Sequence, residues 1–154
     1  MLADGDNAPD FALPGDAGET ITLSKLKGQS VVVYFYPKDD TSGCTAEAKE
    51  FSGLLEQFKS AGATVIGIAP DSAESKRKFK AKHELTVQLA ADADHAVATA
   101  YGVWVEKSMY GKKYMGVERA TFLIDRRGKL ARIWRKVKVP GHAQAVLDAI
   151  AALG

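Results

Sequence analysis

The sequence contains a single cysteine in 154 residues, Cys44, and this scarcity excludes several kinds of protein. One cysteine cannot close an intramolecular disulfide, and it cannot build a zinc site from several thiolates. Small disulfide-rich secreted scaffolds and zinc ribbons are therefore excluded. The thiol is then either a small buried side chain or the reactive group of the protein.

Long apolar runs and a one-sided charge are also missing. No apolar stretch approaches the roughly 20 residues that span a bilayer, and the acidic residues 1–6 lack the pattern of a signal peptide. The 21 Lys and Arg residues nearly balance the 19 Asp and Glu residues, so no global field attracts nucleic acid or membranes. We expect a cytoplasmic protein without a membrane partner, in a compartment that keeps thiols reduced.

The composition is that of a folded chain, with 46% hydrophobic and 26% charged residues. No internal repeat or Pro-rich linker divides it. We therefore expect one domain over residues 1–154.

The first half of the chain predicts a β-α-β unit. Residues 31–36, VVVYFY, form a continuous β-branched and aromatic run, which is typical of a central strand covered on both faces. Residues 44–62 follow a helical apolar period, and residues 64–69 are a second apolar run. The two strands are then parallel and joined by a right-handed crossover. Asp71 and Ser72 are predicted to cap a helix over residues 73–82.

The remaining segments predict a hairpin on each side of this unit and further helices. The order indicates an α/β fold with a mixed central sheet and helices on both faces. Residues 110–116, YGKKYMG, are interpreted as a mobile loop near the site. The other predicted elements are strands at 9–13, 19–23, 86–89, 120–124 and 130–134, and helices at 95–101 and 142–153.

Cys44 is predicted to lie where the loop after the central strand enters the helix. Open α/β sheets commonly build their sites at this edge, and the exposed N–H groups of a first helical turn favour a thiolate. The neighbouring residues 38–43 are polar, which argues against a core position. Thr41 can aim its hydroxyl at the same pocket, and Gly43 allows close approach of the backbone. We therefore favour the reactive thiol over the buried filler.

Residues 37–45, PKDDTSGCT, resemble the active-site loop of the peroxiredoxins, where a proline, three residues, Thr or Ser and two further residues precede the peroxidatic cysteine. The subgroup it resembles most is peroxiredoxin Q, also called the bacterioferritin comigratory protein type. The resemblance covers nearly the whole chain and implies a thioredoxin-like fold, in agreement with the predicted element order. The other matching segments are residues 7–11, 34–37, 116–122 and 134–137.

The resemblance implies a thiol-dependent peroxidase that reduces hydrogen peroxide and organic hydroperoxides through a sulfenic acid on Cys44. It further implies that Thr41 supplies a hydroxyl, Arg119 a fixed positive charge beside the sulfur, and Pro37 a wall against water. Glu47 matches a position that orients the arginine in many members, although an acid in the first turn also favours the helix dipole. Without the resemblance, Arg119 is an ordinary solvated charge and Thr41 an ordinary loop or capping hydroxyl.

The chain departs from the subgroup at the resolving cysteine. Its two frequent positions correspond to Lys49 and to about Lys80 here. The resemblance then implies a one-cysteine cycle without a cofactor, in an often monomeric protein. Thioredoxin, glutathione with glutaredoxin, or a second copy of Cys44 would resolve the sulfenic acid. The alternative is a redox-inactive thioredoxin-fold binding or chaperone-like protein with a vestigial cysteine.

Two weaker signals are assigned to structure rather than to function. Residues 126–139 hold seven basic side chains around Trp134, but polar and apolar residues alternate there, which favours a strand with one wet face over nucleic-acid binding. His83, His95 and His142 lack metal-ligand spacing, and we expect them to be solvated or to cap helices.

Overall fold

A five-stranded mixed sheet forms the centre of the computed structural model, which describes residues 1–153. In the sheet the order is β5-β4-β3-β8-β9, while β1 with β2 and β6 with β7 form separate antiparallel pairs. The strands are β1 Ala12–Pro14, β2 Thr20–Thr22, β3 Ser30–Phe35, β4 Ala63–Ala69, β5 Gln88–Ala91, β6 Trp104–Met109, β7 Lys112–Val117, β8 Ala120–Ile124 and β9 Leu130–Trp134. The helices are α1 Ser42–Gly53, α2 Leu55–Ser60, α3 Ala73–His83, α4 Ala96–Ala100 and α5 His142–Ala152.

The central strand β3 is buried along its whole length, as its unbroken apolar run predicts. It pairs in parallel with β4 and antiparallel with β8, which confirms the predicted parallel pair and the mixed sheet. Alternate residues of β3 enter two separate apolar clusters. Val33 and Phe35 pack on one face with α4, and Val32 and Tyr34 pack on the other with α1, α3 and α5. Helices on both faces are therefore confirmed.

Two predicted elements differ from the structure. The helix expected over 44–62 is divided at Leu54, whose backbone φ of −103° and ψ of 3° separate α1 from α2. The loop expected over 110–116 was wrong, because β6 and β7 form a β-hairpin that turns at Tyr110 and Gly111. Both turn residues have positive φ, 51° and 78°, as a tight hairpin turn requires.

His142 is buried at the start of α5, so the expectation of a solvated or capping histidine was wrong. Its Nε2 lies 2.8 Å from Oγ1 of Thr121, and its ring packs edge-on against Phe51 and Trp134. Burial lowers the pKa of His142 to about 4, so the imidazole is neutral near neutral pH. The ring thus contributes to packing between α5, α1 and β9.

No helix within residues 1–153 is both long enough and apolar enough to cross a bilayer.

Tyr34 lies across β4, and this packing depends on Gly67 having no side chain. A Cβ at position 67 would stand 2.5 Å from Cζ of Tyr34 and 2.9 Å from Cδ2 of Leu89. We expect Gly67→Ala to lower the free energy of unfolding by about 2 kcal/mol or more, since overpacking forces these side chains to move.

Gly53→Ala is the matched control, because a Cβ there meets nothing within 4 Å. It should raise stability by about 0.5 kcal/mol through helix propensity. Urea unfolding of both variants measures the difference, and equal stabilities would contradict the described packing of Tyr34.

Candidate active site

Cys44 is the third residue of α1, in the turn that follows the carboxyl end of β3, as predicted. Its side chain is almost enclosed, with 2% of the residue exposed, and it belongs to the apolar cluster of α1, α3 and α5, so the expectation against a core position was wrong. Thr41 occupies the N-cap position with extended backbone angles, and its side chain makes no capping hydrogen bond. The first amide groups of a helix have no acceptor within the helix, so N–H donors are available beside the sulfur.

Arg119 reaches Cys44 from the start of β8, the strand that lies next to β3 in the sheet. It immediately precedes β8, whose first residue Ala120 pairs with Phe35 at the end of β3. This register brings residue 119 to the edge where the Cys44 loop begins. Nη2 of Arg119 donates a hydrogen bond to Sγ of Cys44 over 3.3 Å.

Gly43 leaves the room that the guanidinium occupies. A Cβ on Gly43 would lie 3.2 Å from Nη2 of Arg119, closer than most such contacts. The residue before the cysteine therefore has a steric reason to be glycine, which agrees with the predicted close approach.

Glu47 lies one turn after Cys44 on α1, so both side chains face the same way. Its Oε1 accepts a hydrogen bond of 2.6 Å from Nη1 of Arg119, and the pair forms a salt bridge. The residue is 1% exposed, and Oε2 has no hydrogen-bond partner among residues 1–153. The structure thus brings Cys44, Arg119 and Glu47 into one chain of contacts.

The charges of these groups are strongly coupled. Burial raises the pKa of Glu47 from 4.5 to about 7, although the Arg119 charge and hydrogen bond oppose the rise. Burial disfavours the Arg119 cation, but Glu47 and Cys44 more than offset this and raise its pKa. Arg119 therefore remains a cation, while Glu47 is close to the balance between its two protonation states at neutral pH.

Thr41 and Pro37 flank this group without a recorded bond to it. Thr41 is exposed, and its hydroxyl donates to the carbonyl oxygen of Lys38 over 3.1 Å. Its own carbonyl accepts bonds from the amide and hydroxyl of Thr45. Pro37 is half-buried where β3 ends. Within residues 1–153, no hydrogen bond joins the Thr41 hydroxyl to Cys44 or Arg119.

The sequence analysis missed a buried network that holds the loop before Cys44. Asp39 is buried and accepts hydrogen bonds from the hydroxyls of Tyr36, over 2.6 Å, and Ser75, over 2.7 Å. The wholly buried Lys76 adds an ion pair at 3.4 Å. Burial lowers the pKa of Lys76, against the opposing effect of Asp39. One signal was available, since Lys76 precedes Phe79 by three residues and shares its apolar helix face.

Asp40 makes a second connection between this loop and α3. Its carboxylate lies 2.7 Å from Nζ of Lys82 and 2.7 Å from Nε2 of His83, and these bonds lower its pKa. Its φ of 63° is a left-handed conformation that aspartate tolerates better than most residues. The loop is therefore tied to α3 at two successive residues.

Comparisons with known proteins agree with this geometry. Residues 5–133 match the model of the AhpC/TSA family. The chain is 50% identical over 146 residues to peroxiredoxin Bcp of Bacillus subtilis, which covers 95% of this chain and 93% of that protein.

Two solved structures are similar over most of the chain. One is the Xanthomonas campestris bacterioferritin comigratory protein, solved in a study of its alkyl peroxide reduction, with 44% identity, a TM-score of 0.88 and coverage of 92% and 90%. The other is a cysteine-to-serine mutant of Xylella fastidiosa peroxiredoxin Q, with 40% identity, a TM-score of 0.93 and coverage of 99% and 97%. The predicted thioredoxin-like fold and the family resemblance are confirmed.

The raised pKa of Glu47 predicts that the free energy of unfolding depends on pH. Its pKa is raised by folding, so its contribution to stability is complete below 4.5 and is lost as the pH rises to about 7. Glutamine is never ionised. Relative to the parent protein, Glu47→Gln should therefore gain up to about 3 kcal/mol of stability between about pH 5 and about pH 8.

Urea unfolding of both proteins at the two pH values measures this change. Glu56→Gln, which removes an exposed carboxylate from α2, is the control for the loss of one negative charge. A difference between Glu47→Gln and the parent that stays constant with pH would contradict the assigned burial effect.

Proposed function

The chain belongs to the AhpC/TSA family and is a peroxiredoxin, a thiol-dependent peroxidase, and we propose that Cys44 is its peroxidatic residue. One observation carries this assignment, the hydrogen bond from Arg119 to the buried sulfur. A cation 3.3 Å from the sulfur can stabilise the negative charge of an attacking thiolate, and the thiolate is the nucleophile.

The oxidative step forms an S–O bond and breaks the O–O bond of a hydroperoxide. The Cys44 thiolate attacks the terminal oxygen, which stays on sulfur as a sulfenic acid. The electron pair of the broken bond leaves on the second oxygen, which takes up a proton and departs as water or an alcohol. We propose hydrogen peroxide and organic hydroperoxides as substrates, and the relative from Xanthomonas campestris was studied for alkyl peroxide reduction.

The peroxide must lie in line with the sulfur, between donors that stabilise the developing charge. We assign these donors to the free amide groups at the start of α1 and to Arg119. The planar guanidinium suits this role because it offers several donors and does not lose its proton. Glu47 accepts a hydrogen bond from the other guanidinium nitrogen of Arg119, which makes it a positioning residue.

Thr41 and Pro37 complete the proposed pocket. The Thr41 hydroxyl bonds to Lys38 within its own loop, and rotation about one side-chain torsion would redirect it toward a bound peroxide. Pro37 would limit the entry of water where β3 ends. These two assignments rest on the match to the active-site loop pattern.

The reductive step needs a thiol from another molecule, because Cys44 is the single cysteine of the sequence. We propose thioredoxin, or glutathione with glutaredoxin, as the reductant of a protein that acts as a monomer. Such thiols are maintained in the reducing cytoplasm, which is the compartment we propose. A thiolate of the reductant attacks the sulfenic sulfur, the S–O bond breaks, and the oxygen leaves as hydroxide that becomes water, which gives a mixed disulfide. A second thiolate attacks the reductant's sulfur, forms a disulfide with it and releases Cys44 as a thiolate.

Access to the sulfur restricts this reductive step. A protein thiol cannot reach a residue that is 2% exposed without an opening of the loop or of the first turn of α1. Asp39 and Asp40 hold that loop to α3, so their bonds oppose the opening. We infer that reduction requires these contacts to loosen, whereas a small hydroperoxide can enter the closed pocket.

Oxidation of Cys44 tests the assignment of the nucleophile. One equivalent of hydrogen peroxide should add one oxygen to Cys44, as seen by mass spectrometry with a sulfenic-acid trap, and Cys44→Ser should show no such addition. Arg119→Gln should slow the oxidation about 100-fold or more in stopped flow, since a donor to the reacting atoms is lost.

Arg127→Gln, in an exposed turn, is the matched control and should react like the parent protein. A covalent dimer on a non-reducing gel would assign the resolving thiol to a second Cys44. Unmodified Cys44 in the parent protein after peroxide treatment would refute the proposed nucleophile.

A turnover assay identifies the reductant. Peroxide consumption should continue for many cycles with reduced thioredoxin or with glutathione and glutaredoxin, and should stop after one equivalent when neither is added. A single turnover with every donor would refute the external-thiol cycle, even if Cys44 is oxidised normally.

A further inference from the structure

Lys107 has a place in the hairpin of β6 and β7 that directs its side chain toward the active site. It pairs with Tyr114, while Val105 pairs with Gly116, so all four residues lie on one face. A Cβ on Gly116 would be 3.2 Å from Cδ of Lys107 and 3.5 Å from Cε. The lysine chain therefore runs across Gly116, away from the hairpin tip and toward Arg119, three residues further on.

Among residues 1–153, the ammonium of Lys107 has no counter-ion. Within residues 1–153 it takes part in no hydrogen bond or salt bridge. Glu106 pairs with Lys113 on the opposite face of the hairpin, and Glu118 is held by Arg135 at 3.1 Å. Within residues 1–153, Lys107 is thus a half-buried cation without an ion-pair partner, and its stem runs toward the Arg119 end of the hairpin.

The pKa of Lys107 is affected by groups of the candidate active site. Burial lowers the pKa of Lys107 and the Arg119 cation lowers it further, while Cys44 and Glu118 act in the opposite direction. A structure that only required a folded hairpin would gain nothing from holding two cations near each other, because like charges repel.

The anions of the site explain why a second cation is useful. Arg119 is shared between Glu47 and Cys44, with one guanidinium nitrogen on each. When both groups are ionised, two negative charges face a single positive charge in a nearly closed pocket. A second cation would restore the balance, and its N–H groups could donate to the oxygen that leaves.

We propose that Lys107 is the second cation of the peroxide site and stabilises the negative charge that passes from the Cys44 sulfur to the departing oxygen. In this step the S–O bond forms, the O–O bond breaks, and the electron pair leaves on an alkoxide or hydroxide that then takes a proton from water. The inference rests on the proposed role of Cys44 as the peroxidatic residue.

The test compares Lys107→Gln with Lys107→Arg and Lys113→Gln. The second-order rate constant for oxidation of Cys44 by hydrogen peroxide should fall about five- to tenfold in Lys107→Gln, because one nearby charge is lost. Lys107→Arg should retain most of the parent rate. Lys113→Gln removes the same charge from the other face of the hairpin and should react like the parent.

A second measurement separates charge stabilisation from a general change of structure. Ethyl hydroperoxide and peracetic acid are of similar size, but the first expels the more basic ethoxide and the second expels acetate. Loss of Lys107 should slow ethyl hydroperoxide at least about threefold more than peracetic acid, since the more localised charge needs more stabilisation.

Gly116→Ala provides an independent variant, because it keeps the lysine and displaces its stem. It should reproduce part of the loss in rate. Equal rates of Lys107→Gln and Lys113→Gln, or equal losses with both peroxides, would overturn the inference. These outcomes are distinct from failure of the proposed function, in which Cys44 of the parent protein would itself remain unoxidised.

Discussion

The sharing of one guanidinium between the Cys44 sulfur and the Glu47 carboxylate is the interaction on which the site depends. Both groups come from the first turns of α1, while Arg119 lies 75 residues after Cys44 in the chain. The cation is held from two sides, so it cannot follow either partner without losing the other. In the proposed reaction, a charge fixed in this way is already oriented before peroxide binds, and little reorganisation remains.

The sheet makes this arrangement possible. The antiparallel pairing of β8 with β3 places the residue before β8 at the end of β3 from which the Cys44 loop departs. The same edge receives the start of α1, where backbone donors and the helix dipole favour negative charge. The end of β3, the start of α1 and Arg119 therefore meet at one edge of the sheet. A shift of one residue in the register of β8 against β3 would direct the guanidinium elsewhere.

The burial of Cys44 shields its sulfur from solvent and also hinders the approach of a large thiol. The loop before it is tied to α3 through Asp39 and Asp40, and the sulfur is nearly enclosed. Such a pocket suits a small oxidant, but it opposes the approach of a large thiol. No second cysteine is present in the sequence to react from within, so in the proposed cycle a thiol of another molecule must reach this enclosed sulfur.

The sequence by itself determined the elements with strong local signals. The buried run of β3, the crossover to β4 and the cap at Ser72 follow from apolar period and capping chemistry, and the loop motif identified Cys44 and its partners by resemblance. Tertiary structure alone decided the hairpin of β6 and β7, the burial of Lys76 and the direction of the Lys107 side chain. The physical reason is the range of each interaction: periodicity and capping act between residues a few positions apart. Register, ion pairing and desolvation depend on residues that meet only when the sheet is assembled.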